Sequence, residues 1–288
     1  MMKETDNLIH FVKMTGSGND FILIDNRDRK FDPGRMPELA RLACRRKLSV
    51  GADGIIFIEN DPQVDFQWRF YNSDGSEAEM CGNGARCAAR FAYLQGIVGK
   101  TSLSFRTLAG VIDAEIIDNR VKIKTSTPHS LQTSIQLEVD GRPFELSFIN
   151  TGVPHAVQLV ANEAELEATD VFRWGRSLRY HEQFQPAGCN VNFSAVLDRH
   201  RMAVRTYERG VEAETLACGT GSIASALVAA AQNLTASPVE VRTRSGETLT
   251  IYFNSQPLGG AVQFSEVYLE GDAKVVYEAD LWDETLKR

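Results

Sequence analysis

Three short motifs occur twice in this chain, in the same order and at nearly one spacing, and that repetition limits the possible folds more than any other feature of the sequence. Thr15-Gly16 returns as Thr151-Gly152, an interval of 136 (151 − 15), and Thr107 with Gly110 returns as Thr243 with Gly246 at the same interval. Between them, Glu77-x-x-x-Cys81-Gly82-x-Gly84 returns as Glu214-x-x-x-Cys218-Gly219-x-Gly221, an interval of 137 (218 − 81). Matches in one order at one offset indicate a duplicated unit with pseudo-twofold symmetry. At 288 residues the chain has room for two domains of ordinary size. Regular alternation lapses in the polar stretch Ser126-Thr127-Pro128-His129-Ser130, which sets the expected domains at residues 1–127 and 128–271, with a tail from about 272 to 288 returning to the first.

The local patterns are those of an α/β chain of the α+β type. Phe21 to Ile24 and Gly54 to Ile58 read as short buried strands bounded by Gly, Asp or Asn, with a helix over Leu39 to Leu48 between them. Phe66 to Tyr71, Val111 to Ile117 and Val121 to Lys124 read as further strands. Two helices follow the glycine-rich turns, one from Ala85 to Leu94 and one, rich in small residues, from Ser222 to Gln232.

Each repeated cysteine stands immediately before Gly-x-Gly and the start of a helix. Glycine permits positive φ and close approach to the main chain, and the free N–H groups of a helix start favour negative charge. A cysteine there is expected to have a stabilised thiolate and a lowered pKa, and the same N–H groups can hold a carboxylate. One such turn suggests a nucleophile or a redox thiol. Two related by pseudo-symmetry suggest a base on one face of a carbon and an acid on the other, as inversion of a stereocentre requires. Two helix starts directed at the α-carboxylate would stabilise the carbanion-like transition state without an organic electron sink.

The bulk numbers narrow the class. A hydrophobic fraction of 43% and a charged fraction of 24% give no reason to expect disorder, fibre or membrane. The net charge of −7 has the wrong sign for holding nucleic acid. Met1 to Asp6 mixes both charges and lacks the apolar core of a secretory signal, so a cytoplasmic protein is expected. The five cysteines, at 44, 81, 87, 189 and 218, form an odd set without a CxxC pair, which points to reduced thiols and to neither a disulfide framework nor a structural zinc site. Cys44, Cys87 and Cys189 read as packing residues, Cys44 within the Leu39 to Leu48 helix.

The motifs closely resemble the diaminopimelate epimerase family over most of the chain. They are Gly16-Ser17-Gly18-Asn19-Asp20-Phe21, Gly51-Ala52-Asp53-Gly54, Phe70-Tyr71-Asn72-Ser73-Asp74-Gly75-Ser76, Met80-Cys81-Gly82-Asn83-Gly84-Ala85-Arg86, Pro154-His155, Asn190-Val191, Tyr207-Glu208-Arg209-Gly210 and Glu214-Thr215-Leu216-Ala217-Cys218-Gly219-Thr220-Gly221. The resemblance implies two similar domains, each a curved, mostly antiparallel sheet wrapped around a central helix. It implies interconversion of LL- and meso-2,6-diaminopimelate, on the route to lysine and peptidoglycan, without metal or organic cofactor and commonly by a homodimer. By that resemblance Cys81 and Cys218 match the acid/base pair, and main-chain groups of Gly82, Asn83, Gly219 and Thr220 match those holding the reacting carboxylate. Asn19, Asn72 and Asn190 match polar groups around the substrate. Arg209 matches the guanidinium that meets the distal carboxylate, and Glu208 and His155 match groups near the reacting amine.

Two positions depart from the family pattern. Val153 stands where many members carry asparagine, and Gly54 where some carry glutamine. Other readings compete with this one. A racemase or epimerase of histidine or hydroxyproline on the same scaffold would lack a reason for Arg209. A thiol hydrolase with His155 as base leaves one cysteine unexplained. The dinucleotide fingerprint fails because position 21 is Phe rather than Gly. A binding domain that has lost its chemistry would not need both thiols.

Overall fold

The run Phe21-Ile22-Leu23-Ile24 is apolar at every position because the strand containing it is covered on both faces. Strand β2 (Asn19–Asp25) lies between β1 (Leu8–Gly16), antiparallel to it, and β3 (Gly54–Glu59), parallel to it. Ile22 and Ile24 join a cluster with Met36, Leu39 and Ala40 of helix α1 (Met36–Ala43), so this helix covers one face of the sheet. Phe21 and Ile56 reach the other face, against helix α2 (Gly82–Leu94), where they come within van der Waals range of Gly84. The sheet continues through β4 (Phe66–Asn72), β5 (Ser102–Thr107), β6 (Gly110–Ile117) and β7 (Arg120–Lys124). In order, β3–β4 is antiparallel, β4–β5 parallel, and β5–β6 and β6–β7 antiparallel.

The second half repeats this plan. Its strands are β8 (His129–Val139), β9 (Arg142–Asn150), β10 (Pro154–Val160), β11 (Asn190–Asp198), β12 (Arg201–Glu208), the short β13 (Ala213–Thr215), β14 (Val239–Arg242), β15 (Thr248–Leu258) and β16 (Ala261–Asp272). Pairings β9–β10, β10–β11, β11–β12, β12–β14, β14–β15 and β15–β16 run antiparallel, parallel, antiparallel, parallel, antiparallel, antiparallel, the same series as β1 to β7. Helix α5 (Gly219–Ala231) takes the place of α2, and α3 (Glu163–Ala168) with α4 (Val171–Arg179) takes the place of α1. The last strand, β17 (Lys274–Trp282), returns to pair antiparallel with β1, as β8 pairs with β9.

The computed structural model describes residues 8–258 and 261–286 and divides into two compact units. One holds the chain up to Ile123 together with the segment from Gly271 onward, and the other runs from Lys124 to Glu270. The segment Met1 to Asp6, read above for its mixed charge, lies outside the described residues.

In each unit the cysteine-headed helix is the centre. Residues 221–229 of α5 are buried without interruption, which covers the whole circumference of the helix, and strands β9, β10, β11, β12, β14 and β15 all touch it. Residues 83–89 of α2 are likewise continuously buried against β1, β2, β3 and β6. Each sheet therefore curls around its helix, which is the expected fold class. Two expectations shift. Helix α1 stops at Ala43, and Cys44 is its C-cap rather than an interior residue, because the basic run that follows includes Lys47 at φ +70°. Helices α2 and α5 begin three residues earlier than their composition suggests, at glycines whose weak helix propensity hides the first turn.

Candidate active site

Cys81 and Cys218 are the N-cap residues of α2 and α5, in nearly the same extended conformation: φ −147°, ψ 115° and φ −124°, ψ 109°. In both helices the first intrahelical bond comes from the fourth residue on, Ala85 N–H to the Cys81 carbonyl (2.8 Å) and Ser222 N–H to the Cys218 carbonyl (2.9 Å). The N–H groups of Gly82, Asn83 and Gly84, and of Gly219, Thr220 and Gly221, have no carbonyl one turn back to accept them. Each unit thus presents a thiol beside a row of donors.

None of these glycines has positive φ, contrary to the expectation from sequence. What they provide is room. A Cβ on Gly221 would lie 2.3 Å from Asn192 Oδ1, and one on Gly219 would lie 2.9 Å from Leu269. On Gly84 it would meet Ile56 at an easier 3.3 Å.

The repeated glutamate has a duplicated partner that the sequence comparison missed. Arg205 grips Glu214 with two bonds of 2.7 and 2.8 Å, and Arg69, 136 positions earlier (205 − 69), bonds Glu77 at 3.1 Å. Tyr71 bridges to Glu77 as Tyr207 pairs with Glu214. These contacts tie the segment leading into each cysteine turn to the neighbouring strand. Arg205 also donates to the Leu166, Glu167 and Thr169 carbonyls, satisfying the end of α3.

In the first unit Asn19 and Asn83 sit beside the Cys81 turn in one directional chain. Arg86, fully buried, donates to Asn83 Oδ1 (3.0 Å); Asn83 Nδ2 donates to Asn19 Oδ1 (2.8 Å); Asn19 Nδ2 donates to Asp53 Oδ2 (2.9 Å). Arg46 caps the other Asp53 oxygen (2.9 Å) and pairs with Asp20, which Lys13 meets at 2.7 Å. Asn72 belongs to a closed turn: its amide donates to Ser76 Oγ (3.0 Å) and its N–H to the Ser76 carbonyl (2.9 Å). Gly54 cannot carry a larger residue here, since a Cβ would lie 2.4 Å from the Phe70 ring.

In the second unit Thr220 and Glu208 interact with Cys218, while Asn190, Arg209 and His155 are linked to one another through β10 and β11. Asn190 donates to the Pro154 carbonyl (3.3 Å) and accepts the Arg209 N–H (2.8 Å), and it pairs in register with His155. Arg209 donates to the Ala187 carbonyl (3.1 Å) and lines a cavity of about 390 Å³ with Phe148, Phe184 and Pro154. Thr220 Oγ1 lies 3.5 Å from Cys218 Sγ, and its carbonyl accepts from Thr151, the repeated threonine. Burial pushes Glu208 above the usual carboxylate range. Burial also pushes the Cys218 thiol up to about 12, with the Glu208 charge acting in the same direction and the Thr220 hydroxyl and the Thr220 and Gly221 N–H groups opposing. The lowered pKa expected at this helix start is therefore corrected: for Cys218, desolvation outweighs the dipole. His155 is wholly buried, and desolvation brings its pKa down to about 3. Among the described residues no group of three His, Cys, Asp or Glu side chains is arranged to hold a metal, and no helix is long and apolar enough to cross a membrane.

The chain with this duplicated sheet-and-helix unit is a cofactor-independent epimerase. Solved structures of similar fold include a phenazine biosynthesis protein of the PhzF family from Bacillus anthracis (16% identity, TM-score 0.69, covering 95% of this chain and 98% of that one). They also include a hydroxyproline epimerase from Agrobacterium vitis (13% identity, TM-score 0.64, covering 97% and 94%). Within that class the chain belongs to the diaminopimelate epimerase family, whose profile matches residues 11–130 and 147–274. A diaminopimelate epimerase from Aquifex aeolicus is 47% identical, covering 97% of this chain and all of its own length, and one from a Hydrogenobaculum species is 46% identical, covering 93% and 97%.

Proposed function

We propose that the chain interconverts LL- and meso-2,6-diaminopimelate by proton transfer at one α-carbon between Cys81 and Cys218. The observation that carries this is the duplicated turn, one thiol at the N-cap of one helix start per unit, beside N–H groups that no carbonyl one turn back accepts. Cys218, held protonated by its burial, is the acid in one direction: Cys81 as thiolate takes the α-proton, and the Cys218 thiol delivers its own to the opposite face. In the reverse direction the roles exchange. Main-chain N–H groups of Gly82, Asn83, Gly219 and Thr220 hold the reacting carboxylate, and Arg209 meets the distal one. Asn19, Asn72 and Asn190 line the substrate, and Glu208 and His155 stand near the reacting amine. No metal or organic cofactor takes part in this scheme.

Incubation with LL-diaminopimelate in heavy water tests the reading. The meso form should accumulate with deuterium entering at one α-carbon only, and no exchange would remove the substrate assignment. Cys81→Ala and Cys218→Ala should each abolish epimerisation; near-normal turnover in either would sink the two-thiol mechanism.

We further infer a cytoplasmic homodimer. The thiol chemistry needs a reducing compartment. Strand β17 leaves Val275, Val276, Tyr277 and Trp282 between 42% and 57% exposed, apolar side chains available to a second copy of the chain. Light scattering should report a dimer, and Val276→Asp combined with Trp282→Asp should shift it toward monomer. A monomeric wild-type chain would overturn this assignment.

A further inference from the structure

His155 lies 136 positions after Asn19 (155 − 19), near the start of β10 as Asn19 starts β2. In both units this slot is polar and an apolar run follows close behind it, Phe21 to Ile24 after Asn19 and Ala156-Val157 after His155. In the first unit the Asn19 amide is oriented by Asp53. In the second, the orienting group is a buried asparagine on β11 that the sequence comparison did not single out.

Asn192 is fully buried and uses every polar atom of its side chain. Oδ1 accepts from Thr206 Oγ1 (2.9 Å), and Nδ2 donates both to the Ala156 carbonyl (3.1 Å) and to His155 Nδ1 (3.0 Å). The Ala156 carbonyl decides which way the amide points. A flipped amide would set two acceptor oxygens against each other, whereas a hydroxyl such as Thr206 could accommodate either arrangement. With Nδ2 facing the ring, His155 Nδ1 has to accept, and the ring proton is left on Nε2. That N–H is buried and has no hydrogen-bond partner among the described residues. A buried donor left unpaired is costly, and a native structure that keeps one commonly reserves it for a ligand. Asn192 also lies directly under the Cys218 turn, since the place a Cβ would occupy on Gly221 is 2.3 Å from Asn192 Oδ1 and 3.3 Å from Cys218 Cβ. Arg209 is within electrostatic reach of the ring, so an acceptor arriving at Nε2 enters a region that favours an anion.

We propose that Asn192 is a positioning residue that locks His155 as the neutral Nε2–H tautomer, and that this N–H is donated to a carboxylate oxygen of the amino-acid substrate when it binds. The second half of this rests on the epimerase reading above; the first does not. Held this way, His155 is a donor whose charge does not change during turnover, rather than a base competing with the thiols.

The test is a long-range proton–nitrogen correlation spectrum of the histidine rings in the nitrogen-15-labelled full chain, with His155 assigned by its loss in His155→Gln. At neutral pH His155 should show a bare Nδ1 and a protonated Nε2, and saturating meso-diaminopimelate should shift the Nε2–H resonance. Asn192→Asp, which puts an acceptor against Nδ1, should move the proton to that nitrogen and lower kcat/KM by on the order of tenfold to a hundredfold, mainly through KM. If that variant does not fold, the wild-type spectra decide. A protonated Nδ1 in the free chain overturns the lock, and an Nε2 resonance unmoved at saturation overturns the donation. Failure to epimerise diaminopimelate would remove the substrate but leave the tautomer in the free protein to be read independently.

Discussion

Burial of His155 makes this ring one contributor to the loss of stability in acid. Its pKa of about 3 in the fold lies below the 6.5 of a free imidazole. Below pH 6.5 the unfolded chain binds a proton that the folded chain refuses, so the stabilisation is complete above that pH and falls as the pH drops toward 3. We expect a loss of about 2 kcal/mol between pH 7.5 and pH 5 from this residue alone. Urea denaturation of wild type and His155→Gln across that range checks it, since the variant should lack this part of the slope. Equal slopes would mean that the ring is not desolvated as described. At the same scale, the candidate site was only partly legible in the sequence. Cys81 and Cys218 could be found because a motif repeated around them. Asn192 could not, because a polar residue in Asn-Val-Asn looks like a strand boundary until the sheet covers it on both sides. The one available signal was its place within the strand Val191 to Ala195, whose other polar residue is the small Ser194.

The two cysteine-headed helices look alike in sequence yet tolerate different changes. A Cβ on Gly221 would press against the amide of Asn192 at 2.3 Å, whereas one on Gly84 would meet the tip of Ile56 at 3.3 Å and the Phe21 ring at an ordinary 3.5 Å. Gly221→Ala should therefore cost on the order of 1–3 kcal/mol and displace the His155 network. Gly84→Ala should be close to neutral, because a better helix former offsets a contact that relaxes easily. Denaturation midpoints of the two variants give the comparison, and equal losses would contradict the packing described for α5. Elements were legible where burial was one-sided or complete. Strands β2 and β3 declared themselves as apolar runs. Strand β8 did not, because most of its residues are exposed, one is buried, and Ser130 and Ser134 have positive φ, which breaks the alternation that marks a strand. The repeated glutamates were visible, but their arginine partners stood out less, since Arg69 and Arg205 sit inside strands whose one shared close neighbour is the tyrosine two residues on, Tyr71 and Tyr207.

At the scale of the whole chain, the fold is two copies of one plan with unequal continuity. The unit from Lys124 to Glu270 is a single stretch, whereas the other needs the segment after Gly271 to supply β17. A chain ending at Glu270 should keep hydrogen-exchange protection in β10 and β11 and lose it in β1, whose residues from Leu8 to Thr15 pair with β17. Protection of β1 in the shortened chain would show that β2 alone is enough to hold it. The return of β17 also sets an order in time. During synthesis, at roughly 5–20 residues per second, the later-encoded unit has all its strands before the earlier one can close. Strand β1 leaves the ribosome well before β17, so in the nascent chain the edge that β17 later covers stays open and needs a chaperone.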